Sequence, residues 1–417
     1  MTEAMLASLG RFIRGVGYNP DEDLRARQGS DTVELLRANN VQDGRLVLEE
    51  VQHVHQRRVR SDQYLTDGDV LICAANGSKR LVGKAAQVRL PDSRELTLGA
   101  FMMGFRPNPA KVFPAYVAQQ FHSNKYRYWV ELLLSGSSIN NLRPSAVGEL
   151  KVWLPNFEEQ QRIAQALMDA DELIAALERL IAKKQSIKKG MVQQLLTGRT
   201  RLPGFTEAWS EIRLGNHVSY VKTVALSRAQ LDTKSSLKYL HYGDIHTRSS
   251  ILLDAAIEEM PRANVNLAAR AGQLRRGDLV FADASEDPAG VGKSIEIADT
   301  PDTGVVPGLH TIAARFDKSV LADGFKAYLQ FIPSFRDQLL RLAAGTKVLA
   351  TTRSYISSIT LTLPAVAEQS AIAETLHDSE REIEALRARL LKARDMKTGM
   401  MQQLLTGRVR LPLETVS

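Results

Sequence analysis

The nearest approach to a catalytic signature is Gly290-Val291-Gly292-Lys293-Ser294, because a phosphate-cradling loop ends in Gly-Lys-Ser. Such a loop needs its first glycine where this chain has Asp287, and a carboxylate there repels phosphate. The pair recurs as Gly83-Lys84 before Ala85, so a turn or strand entry is the more economical reading. Amino methylation of a base calls for an Asn/Asp-Pro-Pro-aromatic loop, and both Asn19-Pro20 and Asn108-Pro109 lack the second proline. His53 with His55, and His241 with His246, have neither cysteines nor paired carboxylates at ligand spacing. The one cysteine, Cys73, lies in an apolar run, which excludes a disulfide framework and a cysteine metal cluster. The expectation is a chain with no catalytic residues, no metal and no cofactor of its own.

Polar loops offer a different chemistry. Asn76-Gly77-Ser78-Lys79-Arg80 and Ser285-Glu286-Asp287 follow matching apolar runs, and a second pair follows Gly136 and Gly345. Base edges and phosphates are contacted by Arg, Lys, Asn and Ser/Thr side chains. The candidates for DNA contact are therefore Asn76, Ser78, Lys79, Arg80, Ser138, Asn140, Arg143, Ser285, Lys293, Lys347, Thr352 and Arg353. A freely diverging surface loop is the alternative for any one of them.

The elements that must position these loops come in two copies. The segment beginning Lys188-Lys189-Gly190-Met191 returns at Lys397-Thr398-Gly399-Met400, an offset of 397 − 188 = 209, and both copies continue through Gln-Gln-Leu-Leu-Thr-Gly-Arg. Leu154-Pro155, Glu159-Gln160 and Ile163-Ala164 return at Leu363-Pro364, Glu368-Gln369 and Ile372-Ala373. Gly68-Asp69-Val70 and Gly277-Asp278-Leu279 keep the same register. The chain is thus a tandem duplication, divided at 1–154, 155–203, 204–363 and 364–417 into domain, helix, domain, and helix with tail.

Each rear part carries a coiled-coil seam. The first is Ile163, Leu167, Ala170, Ile174, Leu177 and Ile181, with Leu173 and Leu180 widening the stripe; the second is Ile372, Leu376, Ser379, Ile383, Leu386 and Leu390. Both helices open after a proline and close near Leu-Leu-Thr-Gly, whose glycine suits a left-handed cap. The front parts read as mixed α/β: strands after Gly68-Asp69 and Gly277-Asp278, further strands at 81–90, 151–154, 294–298, 311–316 and 359–363, and helices at 115–134 and 324–342. The fold class expected is α+β, two mixed α/β domains joined and spaced by two long antiparallel coiled-coil helices.

At 417 residues there is room for two or three domains, and 44% apolar with 24% charged residues excludes a disordered or fibrous chain. The balance 54 − 47 = +7 suits a polyanionic partner without requiring one. With no apolar run of about 18 residues and no basic-then-apolar leader in 1–14, the chain reads as cytoplasmic.

The paired Gly-Asp entries, the Gly-Ser/Thr loops, the Leu-Pro-x3-Glu-Gln-x2-Ile-Ala boundaries and the Leu-Leu-Thr-Gly-x-x-Arg-Leu-Pro helix ends resemble the specificity subunit of type I restriction-modification systems. That resemblance implies two target recognition domains, each reading half of a split site in double-stranded DNA. It implies docking of two modification (methyltransferase) subunits carrying S-adenosylmethionine for adenine methylation. Restriction subunits, using ATP and Mg2+, can join them. It places Glu159, Gln160, Glu368 and Gln369 at helix starts where subunit contacts are expected. One departure is that Trp209-Ser210-Glu211-Ile212-Arg213-Leu214-Gly215 opens the second domain, while 1–18 offers only a faint counterpart. Two competing readings are a fused specificity and methyltransferase-nuclease enzyme, which would need a cofactor loop and a metal-binding carboxylate set, and a coiled-coil assembly protein without a DNA role.

Overall fold

The computed structural model describes residues 2–90, 94–135, 140–285, 287–343 and 349–411. It divides into two compact units, unit 1 (Met1–Glu178 with Ala388–Ser417) and unit 2 (Arg179–Arg387). The class is α+β, with mixed α/β domains joined by long helices that pack antiparallel.

The central sheet of unit 1 is antiparallel, in the order Gly10–Arg14, Met102–Pro107, Val70–Cys73, Ala85–Gln87. Gly68 (φ 87°) makes the left-handed turn that Gly-Asp predicts, and the next residue, Asp69, accepts a hydrogen bond from Thr66 N–H at 2.8 Å. A second sheet includes the parallel pair Leu96–Leu98 and Thr32–Leu36. Unit 2 repeats the plan with Val218–Val221, Thr311–Phe316, Leu279–Ala282 and Ser294–Asp299, and adds Leu252–Asp254 at the edge. That edge strand pairs parallel with Ser294–Asp299, and a second parallel pair joins Val305–Pro307 to Lys238–Leu240.

The opening of the chain has a structural counterpart after all. Glu3–Met5 pairs antiparallel with Lys151–Trp153 as Ser210–Arg213 does with Thr360–Leu363, Ala4 facing Val152 and Ile212 facing Leu361. The partners keep the offset 361 − 152 = 209, but the openings differ by 212 − 4 = 208. A one-residue slip hides the similarity from a register comparison.

Other expectations need correcting. The helix expected at 115–134 is two, Pro114–Gln120 and Asn124–Ser135, because Ser123 Oγ accepts from Tyr126 N–H at 3.1 Å and starts a new helix. The one expected at 324–342 is a 3-10 segment, Lys326–Phe331, followed by an α-helix, Pro333–Ala343, since the residue before a proline is pushed out of helical geometry. Only 85–87 of the strand expected at 81–90 forms, because Gly83 turns the chain with φ 83°.

The long helices are Phe157–Leu195, the central helix, and Val366–Leu404, the C-terminal helix, 39 residues each and about 58 Å long at 1.5 Å per residue. Within unit 1 they run antiparallel: Lys397 meets Asp171 at 2.6 Å and Arg394 meets Glu178 at 2.7 Å. Within unit 2, Lys184 meets Glu382 at 2.8 Å, and Lys188 pairs with Glu380. Of the expected seam residues, Ile163 and Leu167 are buried in the core of unit 1 and Ile372 and Leu376 in that of unit 2; Ile174, Leu177, Ile181, Ile383 and Leu386 are buried too, and Leu390 is half-buried. Leu173 and Leu180 do not widen that seam; they are 51% and 39% exposed, because one facing helix covers only a narrow stripe. Gly198 (φ 68°) and Gly407 (φ 71°) supply the left-handed caps, under Trp209 and Trp153 respectively. No helix among the described residues is long and apolar enough to cross a membrane.

Candidate nucleic-acid interface

In unit 1 three segments meet at one end of the central sheet. Strand Val70–Cys73 runs on to Ala75, which forms a β-bridge with Asn141. Leu142 N–H donates to Ala74 O at 2.8 Å, and the Asn140 side-chain amide donates to Gly77 O at 3.1 Å. Asn76 Oδ1 accepts from Ser78 N–H at 3.0 Å, folding the loop on itself. The third segment is the turn 99–102, whose Phe101 O accepts from Ala74 N–H at 2.9 Å and Ala75 N–H at 3.1 Å. Asn76, Ser78, Lys79, Arg80, Asn140 and Arg143 are thereby gathered around one edge. Ser78, Lys79, Arg80 and Arg143 are exposed, and Asn76 and Asn140 are half-buried.

Unit 2 builds the same junction at the 209-residue offset. Ala284–Ser285 pairs with Leu349–Ala350, Ala284 facing Ala350, as Ala75 faces Asn141. Thr351 N–H donates to Asp283 O at 2.7 Å, and Asp283 N–H to His310 O at 3.1 Å. The frame agrees while the side chains differ. Ser285 is buried, its Oγ donating to Asp287 O at 2.7 Å. Thr352 accepts from Tyr355 N–H at 3.2 Å and caps the helix Arg353–Ser358. Arg353 is exposed, with its guanidinium 5.4 Å from the centre of the Tyr220 ring, whose hydroxyl donates to Arg353 O at 2.8 Å.

Lys293 donates to His246 O at 2.6 Å, as Lys84 donates to Val41 O at 2.6 Å in unit 1. A strand follows it at Ser294, where a phosphate loop would run into a helix. Ser138 and Lys347, with Gly136, Gly345 and Glu286, lie outside the described residues. Among the described residues no group of three or more His, Cys, Asp or Glu is placed to hold a metal ion.

Sequence reasoning weighed His241 with His246 as a metal pair but missed the ring cluster they form with Tyr242 and His310 beside the unit 2 junction. The Tyr242 ring lies 4.4 Å from His241, 5.4 Å from His310 and 6.1 Å from His246, and His246 Nε2 is 3.0 Å from Ala284 O. Burial holds His241 below its ordinary pKa, against the pull of Asp244. The repeat could not have flagged it, since 241 − 209 = 32 is a threonine. A signal that was available is Arg106 and Arg315, 209 apart, which pair with the buried Asp69 and Asp278 of the two Gly-Asp entries, each at 2.6 Å.

The helix-start residues are engaged inside their own units. Gln160 accepts from Phe113 N–H at 2.8 Å and donates to Pro155 O at 2.8 Å; Gln369 accepts from Ala322 N–H at 3.0 Å and donates to Pro364 O at 2.9 Å. Glu159 receives Arg410 Nε at 2.8 Å, and Glu368 receives Arg201 Nε at 2.5 Å. The two carboxyls and two amides are all buried. The two carboxylates tie each helix start to the segment that follows the end of the antiparallel helix.

Comparison with known proteins bears on this geometry. Residues 33–189 match the family described as type I restriction modification DNA specificity domain. Over 184 residues the chain is 32% identical to the StySPI specificity subunit of a type I restriction enzyme from Salmonella potsdam, covering 44% of this chain and 38% of that protein. Against the EcoKI specificity subunit of Escherichia coli K12 the figures are 29% over 208 residues, 49% and 43%. The chain thus spans about two fifths of the length of these relatives. The crystal structure of a type I restriction-modification S subunit from M. genitalium has the same fold, with a TM-score of 0.57 and 14% identity over 97% of this chain and 96% of that one.

Proposed function

We propose, from the chain's similarity to the specificity subunits of type I restriction enzymes, that it is the DNA-reading subunit of such a complex, with unit 1 reading one half of a bipartite site and unit 2 the other. The observation that carries this reading is the duplicated junction: one backbone frame, held by hydrogen bonds at the same 209-residue offset, presents different side chains in the two units. A common frame with different contents is what two readers of different sequences need, because phosphate contacts set position while base contacts specify. In unit 1 the exposed Lys79, Arg80 and Arg143 supply cations for a polyanion.

In this reading the chain performs no chemistry. Two methyltransferase subunits bring S-adenosylmethionine and methylate adenine at N6, and restriction subunits bring ATP- and Mg2+-dependent translocation and cleavage. The complex works in the cytoplasm, and the long helices set the distance between half-sites. The test replaces 204–363 by the matching segment of a relative and sequences methylated bases in cells that also make the methyltransferase subunit. One half-site changes and the other stays. A change in both halves, or in neither, refutes the assignment of one domain to each half.

A further inference from the structure

We infer that Phe101 is a stacking wedge, its ring leaving water for the face of a base in the half-site that unit 1 reads; the inference rests on the DNA-reading function proposed above. Isolated exposed apolar side chains are ordinary on protein surfaces, so exposure alone would carry nothing. Here it comes with a position. Phe101 is 71% exposed, ahead of Tyr128 at 68% and every other Phe, Tyr or Trp among the described residues. It stands at the tip of a turn closed by Met102 N–H donating to Gly99 O at 2.8 Å and anchored by Gly99 N–H donating to Leu36 O at 2.9 Å. Its own carbonyl takes both N–H groups of Ala74 and Ala75, where the strand passes into the 76–80 loop. The ring is therefore delivered by a fixed backbone at the point where the polar loops meet.

The surroundings select the occupant. Ser78, Lys79, Arg80 and Arg143 are exposed around that junction, a polar and cationic rim that fits a polyanion rather than an apolar protein surface. Unit 2 repeats the tip with another ring. His310 stands at 310 − 101 = 209, on a turn whose Gly308 N–H donates to Leu240 O at 2.8 Å, and its carbonyl takes Asp283 N–H. Its φ of 56° lies in the left-handed region, which a histidine adopts only when its surroundings hold it there. In unit 2 the His310 Nδ1 lies 3.2 Å from the Asp283 carboxylate, so the cationic rim belongs to unit 1 alone; a flat ring at the tip of that rim fits a base face, since stacking tolerates any base, and apolar wedges open base steps in bound duplexes.

The experiment uses the full chain assembled with its methyltransferase subunits and a duplex carrying the site identified by methylated-base sequencing. Phe101→Ala weakens binding to that duplex by roughly 5- to 150-fold, the worth of one stacked base. Its thermal midpoint and its assembly with the methyltransferase subunits stay unchanged. Tyr128→Ala, which removes a ring of similar exposure on the helix Asn124–Ser135, leaves affinity as it was. In Phe101→Trp the added indole emission is quenched when the duplex binds, a readout that holds even if the alanine variant folds poorly. Unchanged affinity of a folded Phe101→Ala complex, or unquenched emission at saturating DNA, overturns the inference and leaves the specificity role standing. A wild-type complex that binds no duplex removes the DNA-reading function itself, and the wedge with it.

Discussion

Asp69 and Asp278 open a strand in each unit from a buried position, and each is held by a two-pronged arginine. Arg106 reaches the Asp69 carboxylate through Nε at 2.9 Å and Nη2 at 2.6 Å and also donates to Tyr64 O; Arg315 does the same to Asp278 at 2.8 and 2.6 Å and donates to Gln273 O. Removing one member of such a pair leaves a charge buried without its counterion. Arg106→Ala should lower the unfolding free energy of unit 1 by about 3 kcal/mol, read by hydrogen exchange of 70–73 and 102–107. A loss well under about 1 kcal/mol would mean that water replaces the guanidinium. Glu296 differs in kind: burial pushes its carboxyl from the ordinary 4.5 up to about 7, although Lys326 and the N–H groups of Gly324 and Ala327 favour the charged form. A raised folded pKa means that the native state keeps a proton the unfolded chain has released. The stability of unit 2 should therefore be highest below about pH 4.5 as far as this group is concerned, and fall as pH rises towards about 7. Glu296→Gln should flatten that slope in urea unfolding measured across the range. Unit 1 carries Gln87 at the matching position, 296 − 209 = 87.

At the scale of elements, the two long helices are defined more sharply by their ends than by their periodicity. The Leu-Pro boundaries and the Leu-Leu-Thr-Gly caps located both helices, because a proline and a left-handed glycine impose backbone conformations whatever surrounds them. Periodicity marked the seam at Ile174 and Ile181 but also counted Leu173 and Leu180, which water still reaches; a stripe in one helix does not tell how wide its partner is. Ile174→Ala should cost about 2 kcal/mol, whereas Leu173→Ala should stay within about 0.5 kcal/mol, by thermal or urea unfolding. Equal costs would show that something else covers Leu173. The loop candidates were legible as polar segments at matched positions, yet their meeting at one junction was not, because Ala75 and Asn141, or Ala284 and Ala350, are 66 residues apart (141 − 75 and 350 − 284). Phe101 and the Tyr242 cluster were missed for a related reason: a ring in a short turn has no periodicity, and only the surrounding hydrogen bonds place it beside the loops.

For the whole molecule, the connectivity of the two units matters as much as their likeness. Unit 2 is one stretch of chain, Arg179–Arg387, whereas unit 1 is closed by a second piece that begins at Ala388. Leu404 and Leu405 from that piece lie in the same core as Ile163, Ala164, Leu167 and Trp153. Ending the chain after Arg387 should therefore leave unit 2 resistant to limited proteolysis while unit 1 is cut rapidly within 157–178, with fragments identified by mass spectrometry. Equal resistance of both units would show that unit 1 closes without its second piece. The same connectivity imposes an order on synthesis. All of 179–387, which is 387 − 178 = 209 residues, must leave the ribosome between the two parts of unit 1, a delay of about 10 to 40 s at synthesis rates of roughly 5–20 residues per second. Through that interval the core around Ile163 and Leu167 lacks Leu404 and Leu405, so the chain's most aggregation-prone period is set by translation speed rather than by folding speed. A ribosome that stalls late in the message releases a product in which unit 2 can be native while unit 1 is still open to proteases.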